Sequence, residues 1–288
     1  MPTERVLDWA AAATGGEART VGVRALHEWQ GPWLLRIESR GRLTEAVLRA
    51  PTPRIDAAMI ATGAAALEFA ERHSLPAPRL LGADLLGETA GVPATLETVV
   101  QGSAQWSASS SIERLRTAGA VLARVHAVST APTDALPVRP RPIAVDDFAE
   151  DRRTGRMPTT TLLEIADEAV TACGVPPSEH VFLHGDVWPG NLIWAGDEVA
   201  ALIDWKTAGV GAPGVDLCEL RKQAAISFGP EAPAKVLNGY EQATSTKADH
   251  VAHWDAVAAL NTPTELYDAR ATARRDTFLR TALTALGA

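Results

Sequence analysis

The first hundred residues alternate between short, mostly apolar runs and polar, turn-like segments. This pattern is typical of β-strands, and the first three runs lie close enough in sequence to form an antiparallel meander. An alanine-rich stretch with helical spacing follows, and Pro76 and Pro78 end it. The sequence therefore predicts a small sheet with one helix. The predicted strands cover 21–26, 33–37, 44–48, 79–81 and 94–100, and the predicted helix covers 56–73.

After Gly102 the apolar positions take the spacing of amphipathic helices. A proline-rich connector at 129–145 follows the first of them, and one compact run at 181–205 has short apolar segments and turns instead. The pattern predicts a sheet-rich lobe at 1–97, a hinge at 98–102 and a helical lobe at 103–288. The predicted helices cover 112–128, 161–173 and most of 215–286, with a break at 261–263.

Charge and composition narrow the function. The chain has 288 residues and a net charge of −8, without a block of basic residues. Nucleic-acid binding needs clustered cations, so we expect no nucleic-acid partner. The amino terminus is charged where a signal peptide is apolar, and no apolar run approaches the ~20 residues that span a bilayer. We therefore expect no membrane partner and a cytoplasmic location, with Cys173 and Cys218 reduced and buried.

Lysine is rare and unevenly placed. The first 205 residues contain none, although they contain many arginines. Any function of the amino-terminal lobe that needs a fixed cation must therefore use arginine, which binds phosphate well but is not equivalent to lysine. The four lysines are Lys206, Lys222, Lys235 and Lys247.

The densest chemistry lies in the segment that runs from Leu183-His184-Gly185-Asp186 through Asn191 to Ile203-Asp204-Trp205. A turn signal at 195–198 predicts a hairpin that brings Asn191 and Asp204 together. Two neighbouring oxygen ligands suit Mg²⁺. Asp186 lies on the preceding loop, where a carboxylate can orient a hydroxyl and accept its proton. This spacing is that of phosphoryl-transfer sites.

The motif from His184 to Leu217 resembles that of the aminoglycoside phosphotransferase family, kinase-fold enzymes that phosphorylate small molecules. Further segments at 46–49, 75–82 and 122–126 are also similar to the family, so the resemblance covers nearly the whole chain. It implies an α+β, bilobal protein-kinase-like fold. In that fold a small antiparallel-sheet lobe precedes a larger, mainly helical lobe.

The resemblance also implies roles for individual residues. Asp186 would be the catalytic residue that positions the substrate hydroxyl. Asn191 and Asp204 would bind Mg²⁺ between the nucleotide phosphates. His184 and Asp216 would support the catalytic loop without reacting.

The nucleotide would be ATP, with GTP as an alternative. Arg49 would contact its phosphates from the third strand, where kinases usually carry lysine. The hinge would bind adenine through backbone groups of Thr98 and Val100, with Glu97 at the rear of the pocket.

Two features depart from the family pattern. The helix glutamate that pairs with the strand cation falls near Gly63, and neither Glu68 nor Asp56 lies on the right part of the helix to replace it. The loop between the first two strands has a single glycine, Gly31, flanked by aromatic residues that include Trp29. A phosphate-covering loop usually has several glycines.

The substrate is expected to be a small hydroxylated molecule, and a cationic one would suit the acidic chain. Asp216 follows Asp204 by only twelve residues, with no A-P-E sequence between them, so a peptide-docking activation segment is excluded. Acidic and aromatic side chains would suit ammonium groups. The alternative is that these side chains are core residues or a solvated helix face. The candidates are Trp188, Tyr240, Trp254, Glu265 and Asp268, with Asp255 and Tyr267 beside them.

Three functions remain open on the sequence. The first is phosphorylation of an antibiotic such as an aminoglycoside. The second is a metabolic kinase of the choline, homoserine or sugar type. The third is a catalytically impaired, kinase-like ligand-binding protein, which Gly63 and the glycine-poor loop would favour and the intact Asp186, Asn191 and Asp204 argue against.

Overall fold

The computed structural model describes residues 1–27, 31–106, 112–266 and 268–288. Trp29, which lies beside Gly31 in the loop, and Tyr267, which the sequence placed beside the acceptor candidates, lie outside this part of the chain. The chain divides into two compact units. The sheet unit comprises Met1–Gln101 and Ala201–Lys206, and the helical unit comprises Gly102–Ala200 and Thr207–Ala288. The segment that carries Asp204 therefore belongs to the sheet unit.

The sheet unit contains five antiparallel strands in the order β1-β2-β3-β5-β4. The predicted meander is confirmed, and the first strand begins three residues earlier than expected. The alanine-rich helix is also confirmed, and the Asp56 side chain caps it by accepting from the Met59 N–H at 2.8 Å. The elements are α1 (Glu4–Ala13), β1 (Ala18–Ala25), β2 (Trp33–Ser39), β3 (Arg42–Arg49), α2 (Ala57–Arg72), β4 (Leu80–Asp84) and β5 (Ala94–Thr98).

The core of the sheet unit lies between the sheet and α1, a helix that the sequence pattern missed. Val6, Ala10 and Ala11 form its buried face, and they pack with strand residues such as Leu35 and Leu96. These positions follow the spacing of one helix face. The segment is amphipathic, so its helical pattern was present in the sequence and the prediction of elements overlooked it.

The helical unit is built mainly from six long or medium helices and two short strand pairs within the described residues. β6 and β9 pair antiparallel, and β7 and β8 form a second two-stranded sheet. The helix predicted at 161–173 is confirmed, whereas the short α4 was not predicted. The elements are α3 (Ile112–His126), α4 (Phe148–Arg153), α5 (Thr161–Cys173), β6 (Val181–Leu183), β7 (Leu192–Ala195), β8 (Glu198–Leu202), β9 (Gly209–Gly211), α6 (Gly214–Phe228), α7 (Ala232–Thr244), α8 (Val251–Leu260) and α9 (Ala269–Leu286).

Helices α3 and α7 pack at backbone contact. A Cβ on Gly119 would lie 2.1 Å from the Val236 carbonyl oxygen, and a Cβ on Gly239 would lie 2.0 Å from that of Arg116. Larger residues at these two positions would push the helices apart. The close approach brings the end of α3 against α7, which matters for the site described below.

The two cysteines differ. Cys218 is buried in the helical unit, and burial raises the pKa of its thiol well above the ordinary value. Cys173 is exposed at the last residue of α5, so the expectation that it is buried was wrong. None of the helices in the described ranges is long and apolar enough to cross a membrane.

Candidate active site

The loop after β6 is fixed by one buried carboxylate. The backbone N–H of His184 donates to Asp216 Oδ2 at 2.7 Å, and the N–H of Gly185 donates to Asp216 Oδ1 at 2.8 Å. Asp216 is fully buried in the first turn of α6, where the helix dipole favours a negative charge. Asp216 therefore fixes the two residues that immediately precede Asp186, the residue that is expected to contact the substrate.

Gly185 is required by the local backbone. Its φ is +83°, and a Cβ there would lie 2.1 Å from the Thr207 carbonyl oxygen. Both the torsion angle and the close approach exclude a side chain at this position. Steric constraints thus explain why the middle residue of the His-Gly-Asp motif is glycine.

Three more hydrogen bonds hold the loop from other sides. The Ile143 N–H donates to the Gly185 carbonyl at 2.8 Å, and Asn191 Nδ2 donates to the Asp186 carbonyl at 2.9 Å. His184 is fully buried, and its Nδ1 accepts from the Asp186 N–H at 3.3 Å. Because that nitrogen accepts, the neutral ring carries its proton on Nε2. In this arrangement His184 braces the loop.

Behind the loop lies a buried polar chain. His126 Nε2 lies 3.3 Å from Asp216 Oδ2, and His126 Nδ1 lies 3.0 Å from the Tyr240 hydroxyl. A carboxylate only accepts, so Nε2 donates to it and the tyrosine hydroxyl donates to Nδ1. Burial, together with the Asp216 charge, raises the pKa of Tyr240 above its ordinary value. The close packing of α3 on α7 makes this contact possible.

Replacing Tyr240 by phenylalanine is expected to lower the free energy of unfolding by about 1–2 kcal/mol, because it leaves the buried Nδ1 of His126 without its donor. The KM for the acceptor should stay unchanged. Chemical denaturation and acceptor kinetics check the two parts. The exposed Trp188 provides a control, since Trp188→Phe should change stability by less than about 0.5 kcal/mol. A raised KM with unaltered stability would instead place the Tyr240 ring at the acceptor.

In the sheet unit, Glu97 and Asp204 both form ion pairs with Arg49, the last residue of β3. Arg49 Nε donates to Glu97 Oε1 at 2.6 Å, and Arg49 Nη1 donates to Asp204 Oδ1 at 2.7 Å. Arg49 pairs with Thr95 across β3 and β5, so Glu97, two residues further along β5, lies on the same face of the sheet. The partner of the strand cation is therefore supplied by the neighbouring strand.

Arg49 and Glu97 are both buried, and their charges depend on each other. Burial by itself would lower the pKa of Arg49, but the carboxylates of Glu97 and Asp204 outweigh it, so the pKa lies above its ordinary value. Burial raises the pKa of Glu97, Arg49 opposes that rise, and the Asp204 charge adds to it. The Arg49 guanidinium thus forms ion pairs with two carboxylates, those of Glu97 and Asp204.

Gly63 takes the position where the helix glutamate was expected. A Cβ on Gly63 would lie 3.8 Å from the Lys206 Cα and 3.9 Å from its N atom, in ordinary van der Waals contact. The Lys206 backbone therefore packs beside this position of α2. The question that Gly63 raised about Arg49 is answered by Glu97.

Asp204 is anchored within the sheet unit. The Leu202 N–H donates to the Pro76 carbonyl at 2.8 Å, and the indole of the buried Trp205 donates to the Leu202 carbonyl at 2.8 Å. Asp204 itself has a φ of +70°, which is uncommon for a residue with a side chain and typical of functional sites. Lys206 Nζ lies 2.5 Å from Asp204 Oδ2.

A sequence model of the phosphotransferase enzyme (APH) family matches residues 13–260. The chain belongs to this family. No curated protein matches it in a sequence comparison. The family assignment therefore rests on the match to the family model, which covers most of the chain.

Solved structures are similar to this phosphotransferase-family chain in fold. Macrolide 2′-phosphotransferase MphH from Brachybacterium faecium is 19% identical, with 96% of this chain and 98% of that chain covered and a TM-score of 0.64. A thermostable mutant of aminoglycoside phosphotransferase APH(4)-Ia, in a ternary complex with ADP and hygromycin B, is 14% identical. The match covers 91% of this chain and 95% of that chain, with a TM-score of 0.61. Amicoumacin kinase hAmiN, in complex with AMP-PNP, Ca²⁺ and Ami, is 9% identical. The match covers 91% of this chain and 88% of that chain, with a TM-score of 0.63. The predicted kinase-like fold is confirmed.

In this family member, the side chains of Asn191 and Asp204 have the donor atoms that Mg²⁺ prefers. Asn191 donates through Nδ2 to the Asp186 carbonyl, so the opposite atom of its amide is an oxygen of the type that Mg²⁺ prefers. Asp204 offers a carboxylate. No three His, Cys, Asp or Glu side chains cluster as a metal site in the described ranges, but Mg²⁺ needs only one or two protein carboxylates with waters and phosphates. The residues fit the ion chemically, and the pairing of Asn191 with Asp204 stays a prediction.

The hinge residues have partners inside the sheet. The Thr98 N–H donates to the Arg79 carbonyl at 2.9 Å, and the Arg79 N–H donates to the Thr98 hydroxyl at 2.9 Å. The side chain of Glu97 is directed to Arg49. An adenine base would therefore need backbone groups other than the Thr98 N–H, with Val100 among the candidates.

The aromatic candidates for the acceptor pocket separate into two groups. Tyr240 and Trp254 are buried in the helical unit, as the core alternative expects. Trp188 is 44% exposed and follows Asp186 by two residues. Of these three side chains, Trp188 is by far the most exposed to a ligand in solution.

The acidic candidates have structural partners. Glu265 accepts from Arg152 and from Arg275, both of which are buried, and the resulting cluster ties α4 to α9. Asp268 caps α9 by accepting from the N–H groups of Arg270 and Ala271. Neither residue is simply a solvated helix face.

Three residues with contacts at the site were missed by the sequence reasoning. The Trp106 indole donates to the Pro189 carbonyl at 3.0 Å, and Ile143 bonds the catalytic loop as described. Neither contact can be predicted from local sequence spacing. For Lys206 a signal existed, because it is the first lysine of the chain and follows Asp204 by two residues.

Proposed function

We propose that this chain is an ATP- and Mg²⁺-dependent phosphotransferase that moves the γ-phosphoryl group to a hydroxyl of a small molecule, such as an aminoglycoside or another antibiotic. The observation that carries the proposal is the restrained His184-Gly185-Asp186 loop. Its two N–H groups are fixed by Asp216, and the next carbonyl accepts from Asn191. A positioned carboxylate on a rigid loop is what orientation of an attacking hydroxyl requires.

In the proposed mechanism Asp186 orients the acceptor hydroxyl and accepts its proton. Asn191 and Asp204 supply oxygen ligands for Mg²⁺, and Arg49 adds a fixed positive charge beside Asp204. The bound ion would neutralise charge on the phosphate oxygens. The hinge segment around Glu97, Thr98 and Val100 would hold the base.

The class of acceptor is inferred from family and charge. The similar structures include a macrolide phosphotransferase and a complex with hygromycin B. A net charge of −8 favours a cationic acceptor. A cytoplasmic site would give access to ATP. A screen of ADP formation against aminoglycosides, macrolides, tuberactinomycins, choline, homoserine and sugars separates the antibiotic from the metabolic alternative.

The impaired-protein alternative loses one of its two supports. Gly63 suggested that Arg49 had no anionic partner, but Glu97 fills that role at 2.6 Å. A change of partner is compatible with an active site. We therefore favour an active enzyme.

Millimolar Mg·ATP is expected to raise the melting temperature by several degrees, because a ligand present at ~100 times its Kd stabilises the folded state by ~2.7 kcal/mol. Differential scanning fluorimetry with ATP, GTP and Mg²⁺ alone checks this and identifies the preferred nucleotide. The control is the same nucleotide with EDTA. No shift with either nucleotide would favour the impaired-protein alternative.

A further inference from the structure

The sheet unit contains a single lysine, Lys206, because the first 205 residues have none. It follows the proposed metal ligand Asp204 by two residues, and its ammonium lies 2.5 Å from Asp204 Oδ2. On the other carboxylate oxygen, Oδ1, Arg49 donates at 2.7 Å. Each oxygen of Asp204 therefore accepts from a different cation.

The two cations differ in how firmly they are held. The Arg49 side chain is 9% exposed and is fixed by its second bond to Glu97. The Lys206 side chain is 21% exposed, and its backbone packs against Gly63. A lysine ammonium on a flexible four-carbon chain can change partner while its Cα stays in place, whereas a guanidinium bound to two carboxylates cannot.

A metal ion bound to Asp204 would weaken the ion pairs that Asp204 forms with Arg49 and Lys206. Mg²⁺ bound to the Asp204 carboxylate would repel an ammonium that bonds to the same carboxylate, since like charges close together repel each other strongly. Arg49 is retained by Glu97, so the cation that yields is Lys206. The anions brought to Asp204 together with the ion are the phosphate oxygens of the nucleotide, and they are the natural new partner for the ammonium.

We infer that Lys206 is the residue whose ammonium contacts the nucleotide phosphates, and that it rests on Asp204 until the metal and nucleotide bind. This inference rests on the proposed function. It assigns to Lys206 the phosphate contact that kinases usually make from the third strand. Arg49 then acts mainly as the fixed support of Asp204. Without nucleotide, Lys206 competes with the metal ion for Asp204.

The test compares ligand affinities of Lys206→Met, Lys206→Arg and the wild-type chain. Calorimetry with Mg·AMP-PNP should show that Lys206→Met weakens binding about tenfold or more, whereas Lys206→Arg stays within about threefold. Adenosine, which has no phosphate, should bind all three proteins equally, which also shows that the variants are folded. Mn²⁺ alone, followed by electron paramagnetic resonance, should bind Lys206→Met at least as tightly as wild type.

Lys247→Met is the matched control, because that side chain is 87% exposed and pairs with Glu241 in the helical unit. It should leave every affinity unchanged. Equal affinity of wild type and Lys206→Met for Mg·AMP-PNP would overturn the inference while leaving the proposed function intact. Weaker Mn²⁺ binding by Lys206→Met would overturn the competition with metal. Failure of the wild-type chain to bind Mg·AMP-PNP would overturn the proposed function together with the inference.

Discussion

Replacement of Asp186 by alanine is expected to reduce turnover about 100-fold or more and to leave nucleotide affinity near the wild-type value. The loop backbone is held by groups other than the Asp186 carboxylate. Its N–H groups are held by Asp216, and Asn191 bonds to the backbone carbonyl of residue 186. The substitution therefore removes the carboxylate from the acceptor hydroxyl and keeps the loop. Rates of ADP formation with the acceptor found in the screen, and titration with Mg·ATP, measure the two effects.

Asp186→Asn is the matched variant, because it keeps the shape and removes the base. It should lose about as much activity as Asp186→Ala. Retention of a tenth of wild-type turnover by either variant would refute the assignment of Asp186 as the catalytic residue. A loss of nucleotide affinity as large as the loss of turnover would show that the loop itself had been damaged.

Replacement of Arg49 by alanine is expected to lower the free energy of unfolding by about 3–5 kcal/mol, because it leaves the buried Glu97 without a cation. Arg49→Lys should recover part of this loss, since one ammonium cannot reproduce two directed bonds to Glu97 and Asp204. Denaturant unfolding of both variants measures the difference. A double-mutant cycle with Glu97→Gln isolates the pairwise contribution.

A surface ion pair in the same sheet provides the control. Arg19 and Glu38 pair across β1 and β2 at 2.7 Å, and the Arg19 side chain is 77% exposed. Solvent weakens such a pair, so Arg19→Ala should cost less than about 1 kcal/mol. If Arg49→Ala were no more destabilising than Arg19→Ala, the buried pair would not hold the sheet unit together.

Much of the fold could be predicted from local sequence. The antiparallel meander followed from short apolar runs separated by turn residues, and the bounds predicted for α5 match the structure. The exceptions differ in cause. Helix α1 is amphipathic and was overlooked, whereas α4 has only six residues, which is too short for a clear helical period. Cys173 lies at a helix end, where a small apolar residue need not be covered.

Local sequence selected the residues of the candidate site, and their roles stay predictions. Spacing alone selected Asp186, Asn191 and Asp204, because phosphoryl transfer requires those residue types in that order. The need for glycine at position 185 came from the structure, which shows the close approach of this residue to the Thr207 carbonyl. Likewise, the hydrogen bonds from Trp106 and Ile143 join segments far apart in the chain, and no periodicity indicates them.

The sequence by itself determined that the amino-terminal lobe has no lysine before residue 206, that the third strand ends on an arginine, Arg49, and that Gly63 cannot be the partner of this arginine. Only the tertiary structure decided which residues pair with Arg49. Glu97 is 48 residues away and Asp204 is 155 residues away. Their contacts depend on the register of β3 with β5 and on the packing of the segment 204–206 against α2, and both arise from long-range pairing that local spacing does not encode.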